Sequence, residues 1–316
     1  MEITIQLPTH TIARIIPGSW NECTTEQAMT LLHLLQLDGP NLMAKRLSVL
    51  AYLLGLTDRE RRAWELSVAA ENGEGWELVF QGQLEALLEH TAWLLERLPG
   101  DGPDAAPTYQ LSPTLTRCPF PQLVLDALPS FRVGQRERKT ILYAPADGLA
   151  NITGEEMAYL FDQYERYTRE PAQANADRLI AILYRRGKPE TEELLEENWH
   201  GDRRQPFNEH SLDARASLVG GQLDPMARNL ILFWFLSCRL AIIQSDAGRV
   251  VFKERQEGRT GSDFGWWGTF RAITGDVLKV EELARRPYQD TLAELAYLED
   301  ERARMEMERE MVRLVG

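Results

Sequence analysis

The chain has 316 residues, 44% of them hydrophobic, and a formal net charge of −13. That length suits two domains or one large one, with apolar material enough for a real core, and excludes a disordered composition. The acidic balance repels a phosphate backbone, so nucleic acid is not expected as a partner. Three scattered cysteines, Cys23, Cys118 and Cys238, without a C-x-x-C pair, exclude a disulfide framework and a structural zinc site.

Residues 2 to 16 alternate around Ile3, Ile5 and Leu7 and read as a small hairpin ended by Pro17 and Gly18. The start carries no basic stretch followed by a long apolar core, so no signal peptide is expected. Next, Thr24 and Gln27 form a capping box, and Ala28, Leu31, Leu32 and Leu35 give one helical stripe. The same arrangement recurs: Thr153 and Glu156 cap a second helix with Met157, Leu160, Phe161 and Tyr164 as its stripe. Further on, RLSVLAYLLG (Arg46 to Gly55) aligns without a gap on RLIAILYRRG (Arg178 to Gly187). Both decamers read as helix ends, with Gly55 and Gly187 as left-handed caps. ARIIP precedes the first copy and TILYAP the second, each a strand ending in proline. The repeated unit is therefore strand, capped helix, loop, helix, and its order argues for an ancestral duplication.

Between the copies, QGQLEALLEHTAWLLERLPG reads as an amphipathic helix, with Leu84, Leu87, Leu88, Trp93, Leu94 and Leu95 mostly on one face. Residues 99–121 are rich in Pro, Gly and Asp and read as a linker. The basic run RVGQRERK (Arg132 to Lys139) reads as a solvated edge, and Pro189 to Asn198 is an acidic stretch. Met226 to Ile243 is apolar but carries Arg228, Asn229 and Arg239. Its uninterrupted part is shorter than the ~20 residues a membrane span needs, so it reads as a buried helix, and no membrane is expected as a partner. Lys253 to Gly265 reads as an exposed loop, and a long terminal helix is expected from about Tyr288 to Leu314. Its far half mixes Glu and Arg at pairing distances, with Met305, Met307 and Met311 as a thin apolar seam. Such a stripe suits a protruding helix or one side of a helix–helix contact.

Expected domains are 1–98, a linker at 99–121, a second repeat domain at 122–253 holding the aromatic helix, and a C-terminal helical extension at 254–316. The fold class is mainly α with small β elements.

Chemistry-bearing patterns are sparse. The cluster HGDRRQPFNEH brings together His200, Asp202, Glu209 and His210, but its spacing matches no metal-ligand pattern. There is no G-x-S-x-G elbow, P-loop or G-x-G-x-x-G. Glu155 and Glu156 are adjacent carboxylates already explained by capping. Trp266 and Trp267 could stack on a sugar or base, although such a pair more often seals a core at a helix start. No catalytic residue, cofactor or metal is expected.

Four stretches carry a family resemblance: IPGSWNECTTEQ (Ile16 to Gln27), GLANITGEEM (Gly148 to Met157), LILFWFLSCRLAI (Leu230 to Ile242) and WWGTFRAITGDVLKVEELARRPYQDTLAELAYLEDE (Trp266 to Glu301). Together they resemble proteins of tailed-phage and prophage structural gene clusters of Bacteroidota. The resemblance implies an acidic, helical, non-enzymatic assembly protein of the tail-chaperone kind, holding a tape-measure or tube protein. It implies a place in the host cytoplasm or in association with the virion. Partner contacts are expected at Trp266, Trp267, Tyr288, Leu292, Leu295, Met305 and Met311. A connector or baseplate component of the particle, as a homo-oligomer, is the alternative, and an enzyme with a site between the repeats is another.

Overall fold

The computed structural model describes residues 2–6, 11–36, 42–62, 88–98, 108–126, 139–189, 202–256 and 265–315. The chain divides into two compact units, 1–115 and 116–316. Both are mainly helical with small antiparallel sheets.

In the first unit, β1 (Glu2–Gln6) and β2 (Thr11–Ile15) form the expected hairpin, with Ile3 opposite Arg14. Helix α1 (Thr25–Gln36) starts on a complete capping box. The Gln27 amide N–H donates to Thr24 Oγ1 at 3.1 Å, and the Thr24 amide N–H donates to Gln27 Oε1 at 2.9 Å. Helix α2 (Leu42–Leu53) ends at Gly55, which takes φ +64°. There the Leu56 N–H reaches the Ala51 carbonyl and the Gly55 N–H the Tyr52 carbonyl, a Schellman closure. Leu31, Leu32, Val49, Leu50 and Trp20 fill the interior.

The amphipathic helix expected through Leu98 is not continuous. Residues 88–89 are helical, Ala92–Leu94 form a 3₁₀ turn, and β3 (Leu95–Leu98) pairs antiparallel with β4 (Thr108–Leu111). Thr91 ends the helix by turning its hydroxyl back onto the Leu88 carbonyl at 2.9 Å. A short apolar run does not distinguish helix from strand by periodicity, and the partner strand decides it here. Leu88 and Leu94 are still buried, and Trp93 packs edge-on against Trp20. Leu84 and Leu87 lie outside the described residues.

The segment read as a linker is mostly built into the two units. β4 belongs to the first, and the boundary falls after Leu115. From Thr116 the chain is tied down: its carbonyl accepts from Trp234 Nε1 at 2.9 Å and from the Gly148 N–H at 2.8 Å. The Cys118 N–H donates to Asp147 Oδ1 at 2.7 Å.

The second unit holds a three-stranded antiparallel sheet of β5 (Gln122–Asp126), β6 (Lys139–Tyr143) and the two-residue β7 (Arg185–Arg186), in that order. Strand β6 ends just before Pro145, as TILYAP predicted. Of the basic run, only Lys139 lies within the described residues. Helices α3 (Gly154–Arg169) and α4 (Gln173–Leu183) follow as the second capped pair. Gly187 is not a left-handed cap: α4 stops at Leu183, and the chain turns directly into β7. Then come α5 (Leu212–Gln222), α6 (Pro225–Gln244), α7 (Asp246–Gln256), α8 (Gly265–Thr274), α9 (Val277–Arg285) and α10 (Tyr288–Val315). The expected loop at Lys253 is thus helical as far as Gln256.

Helix α6 is long and apolar enough to cross a membrane by length and composition, but Leu230, Ile231, Trp234, Phe235 and Cys238 lie in the protein core. Asp224 caps it from the Met226 and Ala227 amides, with Pro225 in the first turn. Phe161, Phe235, Phe252, Trp266 and Phe270 cluster around it, with Phe252 and Trp266 centroids 4.7 Å apart. The Arg239 guanidinium sits 4.6 Å from the Tyr164 ring centroid.

Residues from 265 onward are part of this unit rather than an extension of it. The Gly154 N–H donates to the Arg286 carbonyl, and the Tyr288 N–H to the Ile152 carbonyl, each at 3.0 Å. A Cβ on Gly154 would lie 2.7 Å from Thr291 Oγ1 and 2.9 Å from the Leu283 carbonyl, so this crossing needs glycine. Thr291, Leu292, Leu295 and Ala296 are buried, whereas residues 302–313 are all exposed.

Candidate functional site

The start of α3 opens onto a cavity of about 450 Å³. Thr153 caps the helix by accepting from the Glu156 N–H at 3.2 Å. The expected return half of the capping box is absent, because the Glu156 side chain turns inward. Its Oε1 accepts from Arg185 Nη2 at 2.6 Å, and its Oε2 from Arg204 Nη2 at 2.9 Å. Asp202 completes the cluster: Oδ1 accepts from Arg204 Nε and Oδ2 from Arg204 Nη2, both at 2.8 Å. Its Oδ2 also lies 3.5 Å from Arg185 Nη2.

Short elements place these groups. β7 carries Arg185 inward and Arg186 outward. The segment after Asp202 runs antiparallel to it: the Lys188 N–H donates to the Arg203 carbonyl, and the Gln205 N–H to the Arg186 carbonyl. That pairing delivers Arg204 beside Arg185. Lys188, Pro206, Phe207, Glu155, Arg285 and Pro287 finish the lining.

Arg185 is 1% exposed, and its Nε and Nη1 have no hydrogen-bond partner. A buried donor left unanswered costs about 1–3 kcal/mol. Burial lowers the Arg185 pKa, and the Glu156 charge only partly offsets it. Burial also works against the charge on Arg204, but there Glu156 and the doubly bonded Asp202 outweigh it, and its pKa stands above the usual value. Glu155, beside them and half-buried, is raised, first by burial and then by the charges of Glu156 and Glu209.

Phe207 packs against Tyr159 at 4.8 Å between centroids, the rings tilted by 50°, and the Tyr159 hydroxyl donates to Glu209. On that side a second cavity of about 610 Å³ is lined by Asp162, Arg166, Arg178, His210 and Trp267 among others. Asp162 reaches out of α3 to cap α8 at the Trp266 N–H, 3.1 Å away.

The HGDRRQPFNEH cluster is therefore divided. Asp202 joins the buried ions, Glu209 bonds Tyr159, and His210 is exposed. His200 lies outside the described residues. Among the described residues, no three His, Cys, Asp or Glu side chains converge as metal ligands do. Cys118 and Cys238 are buried, which pushes their thiols up to about 11 and about 12 and leaves them inert near neutral pH.

The residues expected to contact a partner separate into three groups. Trp266, Leu292 and Leu295 are interior, at 1%, 2% and 0% exposure, and serve the core. Trp267 and Tyr288 are half-buried. Met305 and Met311 are 44% and 59% exposed. The seam is not single, because residues two apart on a helix point about 200° apart. Met307 and Met311 share one face, and Met305 lies with Val312 on the opposite one.

Arg185 and Arg204 were not singled out in the sequence. One signal for Arg185 was present: in the aligned copies, Gln27 and Leu53 stand where Glu156 and Arg185 stand. Leu53 is buried, so its counterpart is an arginine at an interior position, and its counter-ion has to come from the cap.

No protein-family model, no curated protein and no solved structure matches this chain.

Proposed function

We propose that this chain is a non-enzymatic assembly protein of a tailed phage or phage-like particle, binding a structural partner through the free half of α10. The exposed arm carries this reading. Over residues 302–313 a continuous helix leaves the core with every side chain exposed. Met305, Met307, Met311 and Val312 meet water on it, and burying them in a complex removes that apolar surface. Arg302 pairs with Glu299 at 3.6 Å and Glu306 at 3.5 Å, and Arg304 with Glu308 at 4.0 Å, all long. Such exposed pairs are weak and exchange readily for pairs with another helix. Two narrow apolar strips on opposite faces suit helical partners that wrap the arm rather than a flat surface. The proposed partner is a long helical phage protein, such as a tape-measure or tube protein, held before it polymerises. The resemblance of Ile16 to Gln27 and of Trp266 to Glu301 to phage structural-cluster proteins supports that setting, in the host cytoplasm or carried into the virion.

The test is capture with this chain as bait, co-expressed with its neighbouring genes, with masses from light scattering. The full chain is expected to retain a long helical phage protein, and a chain ending at Glu301 to lose it. That cut leaves Leu292, Leu295 and Glu299 in place, whereas a cut at Tyr288 would remove core. A full chain that elutes alone as a large closed ring overturns the chaperone reading in favour of a particle component.

A further inference from the structure

The cleft at the start of α3 has a chemistry that the arm does not use. We propose that it binds a small organic acid, a carboxylate on an apolar body, through Arg185, Lys188 and Arg285. Its volume of about 450 Å³ falls within the size of small-molecule sites. Four cations line it against three carboxylates, in a chain whose net charge is −13. Two of those carboxylates, Glu156 and Asp202, are already engaged by the two buried arginines. Arg185 lines the cavity with two donors unanswered, Nε and Nη1, and a charge-assisted hydrogen bond from either to a carboxylate oxygen matches it in charge.

The remaining wall sets the rest of the ligand. Pro206 and Phe207 give it an apolar side, and Phe207 is held by its ring contact with Tyr159. An inorganic dianion would leave that side wet and would meet more repulsion from Glu155 than a monoanion does. Glu155 is also a carboxyl that gives up its charge more readily than usual.

The experiment is a melting and calorimetric titration of the full chain with benzoate, acetate and inorganic phosphate at constant ionic strength. Benzoate is expected to raise the melting temperature saturably, and acetate and phosphate to do so less. Arg285→Gln should weaken benzoate on the order of threefold, and Glu155→Gln should tighten it by a similar factor, the range of half-exposed charges. Neither residue belongs to the buried ion cluster, so both variants keep the fold, and circular dichroism checks it. A benzoate response that does not saturate, phosphate binding equal to benzoate, or variants that leave affinity unchanged would each overturn the assignment.

Discussion

Glu155 and Glu156 are neighbours in sequence and opposites in environment. Glu156 is buried and holds two arginines; Glu155 is half-exposed and has only like charges and burial shifting it upward. Substitution should therefore act in opposite directions. Glu156→Gln leaves Arg185 and Arg204 with too little counter-charge and should cost about 3 kcal/mol or more in urea unfolding. Glu155→Gln should stabilise the protein at neutral pH. A carboxyl raised on folding favours the folded state only below its unfolded value and opposes it as pH rises past the folded one. The gain should thus vanish when unfolding is repeated a unit or more below the usual glutamate value of about 4.3, where the Glu155 carboxyl is neutral both folded and unfolded. The sequence exposed Glu156 as a capping residue and nothing more. Its use as a counter-ion depends on Arg204, 48 residues away, and no local pattern encodes that pairing.

At the scale of elements, α10 is one helix with two environments. Its first half packs Leu292 and Leu295 inside the unit; its second half faces water. Leu295→Ala should cost about 2–5 kcal/mol, whereas Met307→Ala should stay within about 0.5 kcal/mol, both read by denaturant melts. Elements with strong local signals were legible. The two Thr caps, Gly55, the β1–β2 hairpin and the strands before Pro17 and Pro145 all stand where composition and spacing placed them. Elements decided by a distant partner were not. Leu95 to Leu98 carries a helical pattern but lies on β4, and Gly187 follows a strand because β7 is held by β6 and by residues 203–205. The partner residues proposed in the helix α8 and α10 region illustrate the same limit. Periodicity marks an apolar face without saying whether the face meets the protein's own interior or a second molecule, and for Trp266, Leu292 and Leu295 it is the interior.

For the whole molecule, each unit has a core of its own. In the second, Phe161 meets Phe235 and Trp266 edge-on, and Trp234, Leu292 and Leu295 are buried. Residues 116–316 expressed alone should therefore fold and melt in one cooperative transition, seen as coincident near- and far-ultraviolet dichroism changes. The mainly helical class was legible from repeated capped helices. The place of the C-terminal third was not, because Gly154 against Thr291 is a contact between residues 137 positions apart. The arm that leaves this unit has a mechanical consequence. Between Tyr288 and Val315 there is neither glycine nor proline, so no hinge separates the docked half from the free one. From Arg302 outward the free half is a rigid lever about 20 Å long, at 1.5 Å per residue. A load applied at Val312 is carried as torque to Leu292 and Leu295, with no loop between to absorb it. The stiffness of the tip is thus the stiffness of the core that grips the other end.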